Sequence, residues 1–186
     1  MMRGRESRLA CRIIVSFVLM SFPAMVSAKV GKMDLKELVA RSDLIVVAKV
    51  SKVEDGPADA KPEDERFSAV RVATAEVIET WKGAPPREVR FLASPTWVCD
   101  ISEAEKGEQV VLFLTRRKEE PSLRISHSGR GRMPLRMVKG KTYATLWDDV
   151  RLPEGTATVP GPEPEYSFIR SVELSKLKEL VRKKGP

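Results

Sequence analysis

The chain has 186 residues, with 33 Lys and Arg against 26 Asp and Glu, a net charge of +7 and two cysteines. That length describes one ordinary domain with enough chain to bury a core. Two cysteines exclude a dense disulfide scaffold, and the interspersed charges give weak grounds for a nucleic-acid binder.

In chain order, Arg3, Arg5, Arg8 and Arg12 come first, then the apolar run Ile13 to Met20. Pro23 breaks the run, and Val26-Ser27-Ala28 offers small residues at the two positions that a signal peptidase reads. Residues 1–28 therefore read as a secretory signal peptide, and the protein is expected in the periplasm or outside the cell. The run is too short for a spanning helix, which needs about 20 apolar residues, and no later segment is apolar enough. Cys11 precedes the run rather than following it, which argues against a lipid anchor. Without residues 1–28 the chain has 158 residues, a net charge of +4 and one cysteine, Cys99. No intrachain disulfide is then available, so stability must come from burial.

Asp34 has Glu37 three residues on, the spacing of a capping box, and a short helix is expected over 35–41. Leu44 to Val53, rich in β-branched residues, reads as a buried strand. Glu54 to Arg66 is a polar loop with several acids. Phe67 to Trp81 reads as a second strand, with a phase change that places a bulge near Ala73–Thr74. Val89, Phe91 and Ala93 alternate with Glu88, Arg90 and Leu92, the pattern of a half-buried strand. Pro95 to Gly107 is a connection, with room for a helical turn. Val110 to Leu114, apolar on both faces, should be a central strand.

Leu123 and Ile125 mark a further strand, and Ser128-Gly129-Arg130-Gly131 a turn. Residues 132–138 and 142–147 should form a hairpin about Lys139-Gly140. Asp148 to Ser167, with four prolines, reads as an extended crossing. Val172, Leu174, Leu177, Leu180 and Val181 place an apolar stripe on a final helix, about 170–184. The strands lie in one block without intervening helices, so a parallel α/β sheet is disfavoured. The expected fold is mainly β: a small antiparallel barrel with a short helix before it and a longer one after it.

Three strings occur in order: Ser42-Asp43-Leu44-Ile45-Val46-Val47-Ala48-Lys49-Val50, Ala75 to Gly83, and Cys99-Asp100 followed by Lys106 to Leu114. Over roughly 34–147 this order resembles uncharacterised bacterial exported proteins. Those look like distant relatives of the netrin-module and tissue-inhibitor-of-metalloproteinase group. The resemblance implies an OB-like barrel over 29–186 and an exported interaction module. The inhibitors present an N-terminal cysteine pair to a zinc; a chain beginning Lys29-Val30 lacks it, so that role is not carried over.

Cys99, in Trp97-Val98-Cys99-Asp100, reads first as a small buried thiol. Its alternatives are a disulfide to a second chain or, least favoured, a nucleophile. A neighbouring carboxylate would raise the thiol pKa. His127, the only histidine, falls in strand register with Leu123 and Ile125 and reads as a satisfied, partly buried side chain. A hydrolase would have to use it. One His and one Cys cannot fill a structural zinc site, and no cofactor motif is present. Gly129-Arg130-Gly131-Arg132 reads first as a hairpin turn whose glycines supply positive φ; the alternative is that Arg130 and Arg132, with Arg116, Arg117 and Lys118, track a polyanion on an OB-type barrel. The acidic loop lacks the ligand order of a calcium site. Trp97 and Trp147 are candidate contact residues.

The favoured function is a noncatalytic binding module whose partner is another envelope or extracellular protein, with no nucleic acid and no membrane span. The alternatives are an enzyme using Cys99 or His127 and a polyanion-binding barrel.

Overall fold

The computed structural model describes residues 30–56, 70–84, 87–118, 120, 122–163 and 165–183. The expected signal peptide and residues 57–66 of the acidic loop lie outside them.

The chain is mainly β, and its strands pair antiparallel except at one short edge. β1 (Met33–Asp34) leads into α1 (Leu35–Arg41), followed by β2 (Leu44–Asp55), β3 (Arg71–Lys82), β4 (Glu88–Leu92) and β5 (Gln109–Thr115). Then come β6 (Arg124–Ile125), β7 (Arg132–Val138), β8 (Lys141–Trp147), β9 (Val150–Arg151), β10 (Val159–Pro160), β11 (Ile169–Glu173) and α2 (Leu174–Arg182). The main sheet runs β10-β11-β8-β7-β5-β2-β3-β4, with β6 on β5; β1 pairs β9 in parallel. That path is open at both ends, so no closed barrel of paired strands is found among the described residues. Leu123, just before β6, meets β4: Leu92 N donates to Leu123 O at 2.8 Å, and Leu123 N donates to Arg90 O at 3.0 Å.

The strand period of two sorts the apolar residues into two cores. Leu44, Val46, Ala48 and Val50 of β2 face one side, with Ala73, Ala75, Val89, Phe91, Leu112, Leu123 and Ile125. Ile45 and Val47 face the other, with Val111, Phe113, Met133, Ala144, Leu146 and Val172. Both helices cover this second side: Leu35, Leu38 and Val39 from α1, and Leu177, Leu180 and Val181 from α2. β2 and β5 thus divide the two cores, which is why the sequence reads as apolar on both faces there.

α1 spans the expected residues, but its capping box is not formed. Asp34 at the N-cap makes no side-chain bond to the helix. Its Oδ1 instead takes the Arg151 guanidinium at 3.0 Å. The expected bulge is displaced to the partner strand: the register slips between Val50 and Lys52 of β2, opposite Ala75 and Thr74. The hairpin turns at Lys139 (φ 48°) and Gly140 (φ 78°), two left-handed residues as a two-residue type I′ turn requires.

The final helix is shorter than the 170–184 expected. Residues 169–173 are a strand, because β8 offers them a full ladder from Ile169↔Trp147 to Glu173↔Tyr143. Ser171 and Val172 are fully buried there. Pairing that satisfies five residues of backbone outweighs the helical spacing of Val172 with the residues beyond it. The connection at 95–107 contains no helix, and the crossing at 148–167 carries the short strands β9 and β10.

Candidate functional site

The β6–β7 connection has a tightly constrained backbone. His127 (φ 56°), Ser128 (φ 50°) and Gly129 (φ 84°) are successive left-handed residues. For the two that are not glycine this costs about 1–2 kcal/mol each. Hydrogen bonds hold the turn: Arg130 N to His127 O at 3.1 Å, Gly131 N to Ser126 O at 3.0 Å, and Ile101 N to Ser128 O at 3.2 Å. The two glycines serve different needs. A Cβ on Gly129 would sit 2.4 Å from the Ile101 carbonyl carbon, whereas Gly131 has no positive φ and lies against Phe113 O.

The Arg130 side chain is the strut of this region. Its Nε donates to Asp149 Oδ2 at 3.1 Å. Nη1 donates to Ser128 O at 3.0 Å and to Cys99 O. Its guanidinium carbon lies 5.8 Å from the Trp147 ring centre. One buried cation thus joins the 97–101 loop, the 126–131 turn and the β8–β9 turn.

Beside this turn lies a cavity of about 370 Å³, bounded by α1, the 96–102 loop and β5–β6. Its wall includes His127, Ser126, Ser128, Asp100 and Trp97. Arg41, Arg117 and Arg124 complete its cationic side. Asp100 is buried, and both of its oxygens are engaged. Oδ2 accepts from Thr96 N at 3.0 Å and Thr96 Oγ1 at 3.1 Å, and Oδ1 accepts from Ser102 N at 2.9 Å. Ser126 Oγ shares a 2.9 Å hydrogen bond with Ser42 Oγ. Arg124 grips Glu120 in bidentate fashion at 2.6 and 2.8 Å, Arg117 lies 3.7 Å from the same carboxylate, and Arg41 pairs with Glu37.

His127 is partly buried, as expected, but it is not satisfied. Its positive φ takes it out of strand register with Ile125, and its Nε2 is buried with no hydrogen-bond partner among the described residues. Burial is the main cause that holds its pKa below the ordinary histidine value, and the Arg130 charge adds to this. Asp149 and a hydrogen bond to the Gly31 backbone act in the opposite direction. The ring is therefore neutral at pH 7, with one donor and one acceptor nitrogen.

The candidate residues from the sequence separate into distinct settings. Trp97 lines the cavity and is half-buried. Cys99 is half-buried, is not in a disulfide, and contributes its carbonyl to Arg130; it is not among the described wall residues. Trp147 stacks on Phe168 at 5.2 Å, and Phe168 meets Tyr166 at 5.3 Å. That ladder fastens the 148–168 segment to β8. Arg132 is bonded to Glu108 through Nε at 3.0 Å and through Nη2. Arg130 and Arg132 are thus committed to internal carboxylates, while Arg116 and Arg117 are exposed. The four do not share one free face.

Asp100, Ser126, Arg41 and Arg124 escaped the sequence reading, since three separate segments bring them together: α1, the 96–102 loop and the 124–128 stretch. The one local signal was Ser126-His127-Ser128-Gly129, a run of small and polar residues suited to left-handed backbone around the only histidine. Among the described residues no three His, Cys, Asp or Glu side chains are grouped to hold a metal, and no helix is long and apolar enough to cross a membrane. No family model, curated protein or solved structure matches this chain.

Proposed function

We propose that this is an exported, noncatalytic binding domain whose ligand site is the cavity at His127. The observation that carries the reading is that cavity: about 370 Å³, within the range of small-molecule sites, with polar groups converging from four segments. The same groups are poorly placed for catalysis. Both Asp100 oxygens are occupied by the loop that carries it. The Asp149 carboxylate is bonded to Arg130 rather than to the imidazole. A nucleophile–base–orienter arrangement needs those contacts free.

We read the scaffold as an OB-type barrel, partly open and netrin-like in the loose sense. The support is the succession of neighbours around the first core. β2 pairs β3, β3 pairs β4, β4 meets Leu123, β6 pairs β5, and β5 returns to β2. The side chains these strands enclose form a single cluster. Export rests on residues 1–28 as read from the sequence.

The test is a thermal-shift screen of the protein against small molecules of the cell envelope. A ligand at a hundred times its Kd adds about 2.7 kcal/mol, worth roughly 5–10 °C at this size. A shift abolished in His127→Phe supports the reading. A screen in which no compound moves the midpoint, or turnover of any hydrolase substrate that is lost in His127→Gln, overturns it.

A further inference from the structure

Three arginines from three segments line one cavity: Arg41 at the end of α1, Arg117 after β5 and Arg124 in β6. Among the described wall residues Asp100 is the one acid. Its oxygens are engaged within its own loop, Oδ2 by Thr96 and Oδ1 by Ser102 N. The glutamates that pair with the arginines, Glu37 and Glu120, are not wall residues.

Two of the guanidiniums already converge on one carboxylate. Arg124 donates to Glu120 from Nε at 2.6 Å and from Nη2 at 2.8 Å, and Arg117 Nη1 lies 3.7 Å from Glu120 Oε1. A planar carboxylate matches such a fork. Arg41 comes from the α1 side, and its charge is one of those that act on His127 of the wall. The Arg41 and Arg117 side chains are 64% and 55% exposed. Ion pairs this exposed contribute little, so exchanging Glu37 or Glu120 for another carboxylate costs little. A ligand with two carboxylates meets all three guanidiniums at once, which neither glutamate does.

From this clustering we infer that the cavity binds a small organic anion carrying at least two carboxylates. One carboxylate takes Arg124 and Arg117 in place of Glu120, and another takes Arg41 in place of Glu37. This rests on the cavity being the ligand site, as proposed above.

The experiment is amide NMR of the protein titrated with citrate, succinate, inorganic phosphate, N-acetylglucosamine and spermidine. Expected are saturable shifts at Arg41, Asp100, Arg124 and Ser126 with citrate or succinate, at a Kd of about 1 mM or tighter in low salt. That Kd should rise as salt screens the charges. Arg124→Gln and Arg41→Gln should each raise it at least about tenfold, the scale of a lost charged hydrogen bond, with the spectrum of α2 unchanged. Glu120→Gln should lower it about threefold, because the competing carboxylate is gone. If Arg124→Gln does not fold, Arg41→Gln carries the comparison. Binding unaltered in both arginine variants, or a Kd that does not fall in Glu120→Gln, overturns the inference. So does the absence of any cavity shift with both carboxylates. In that last case a cavity shift with phosphate, N-acetylglucosamine or spermidine leaves the cavity as the ligand site.

Discussion

Arg130 and Asp149 form a buried ion pair, Nε to Oδ2 at 3.1 Å, with side chains only 9% and 17% exposed. The pair locks the left-handed turn that carries His127 to the turn between β8 and β9. The arginine also serves two backbone oxygens, of Ser128 and Cys99. An arginine between two glycines looks available for an external anion, but here it is an internal fastening.

Arg130→Ala should therefore cost about 3–5 kcal/mol, the usual penalty for breaking a buried pair and stranding one charge. Arg130→Lys should recover part of this, since it restores the charge but not the fork that reaches three partners. Urea unfolding measures both, read as a fall in midpoint with unchanged slope. A loss under about 1 kcal/mol for the alanine variant would show that the turn does not depend on the strut.

Gly129 and Gly140 have nearly the same backbone, φ 84° and 78°, but different surroundings. A methyl at Gly140 meets nothing within 4 Å, while one at Gly129 meets the Ile101 carbonyl carbon at 2.4 Å and Ser102 N at 2.5 Å. Gly140→Ala should cost about 1–2 kcal/mol for left-handed backbone alone. Gly129→Ala must also part the turn from the 97–102 loop, so its cost should be clearly larger. Equal unfolding midpoints for the two variants would contradict that packing.

The strands were legible where the sequence states their environment locally. Val89-Arg90-Phe91 alternates, and β4 has one buried face; Val110 to Leu114 is wholly apolar, and β5 has a core on either side. Val172 was misassigned because helical spacing cannot report the open edge of β8 waiting for it. The Asp34 cap failed for the same reason, since Arg151 lies more than a hundred residues away. The cavity was illegible in the strict sense. Each wall residue looks ordinary in its own segment, and only the return of the chain through α1, β5 and the 96–102 loop makes them neighbours. His127 was singled out for its rarity, and its missing partner is a property of the fold alone.

Leu177 is fully buried and, with Leu180 and Val181, joins α2 to the second core, while Glu79 of β3 adds surface ion pairs with Lys178 and Arg182. Exposed pairs contribute about 0–1 kcal/mol. Leu177→Ala should thus cost about 2–5 kcal/mol, and Glu79→Gln under about 1 kcal/mol. Hydrogen exchange across 174–182 distinguishes them: the leucine variant should expose α2 and the glutamine variant should not. Comparable exchange in both would mean that charge, not burial, seats the helix.

The pH dependence of stability should carry the signature of His127. An unfolded histidine titrates near pH 6.5. In the fold, burial first and Arg130 second hold this one lower, with a smaller push from Arg41, against opposing pulls from Asp149 and Gly31. The unfolded chain therefore takes up the proton more readily than the folded one. The contribution is whole above about pH 6.5 and is lost as pH falls from there toward the folded value. The shifted carboxylates Glu54, Glu79, Glu173 and Glu179 titrate below their ordinary value of 4.5. Their contribution starts to be lost only as pH falls toward 4.5, so a comparison between about pH 5.5 and pH 7.5, set against His127→Gln, reports chiefly the histidine. Over that window the wild-type protein should lose stability on acidification, and His127→Gln should be flatter. If the two curves run parallel, or if acid stabilises the wild type, the imidazole is not held neutral by its surroundings.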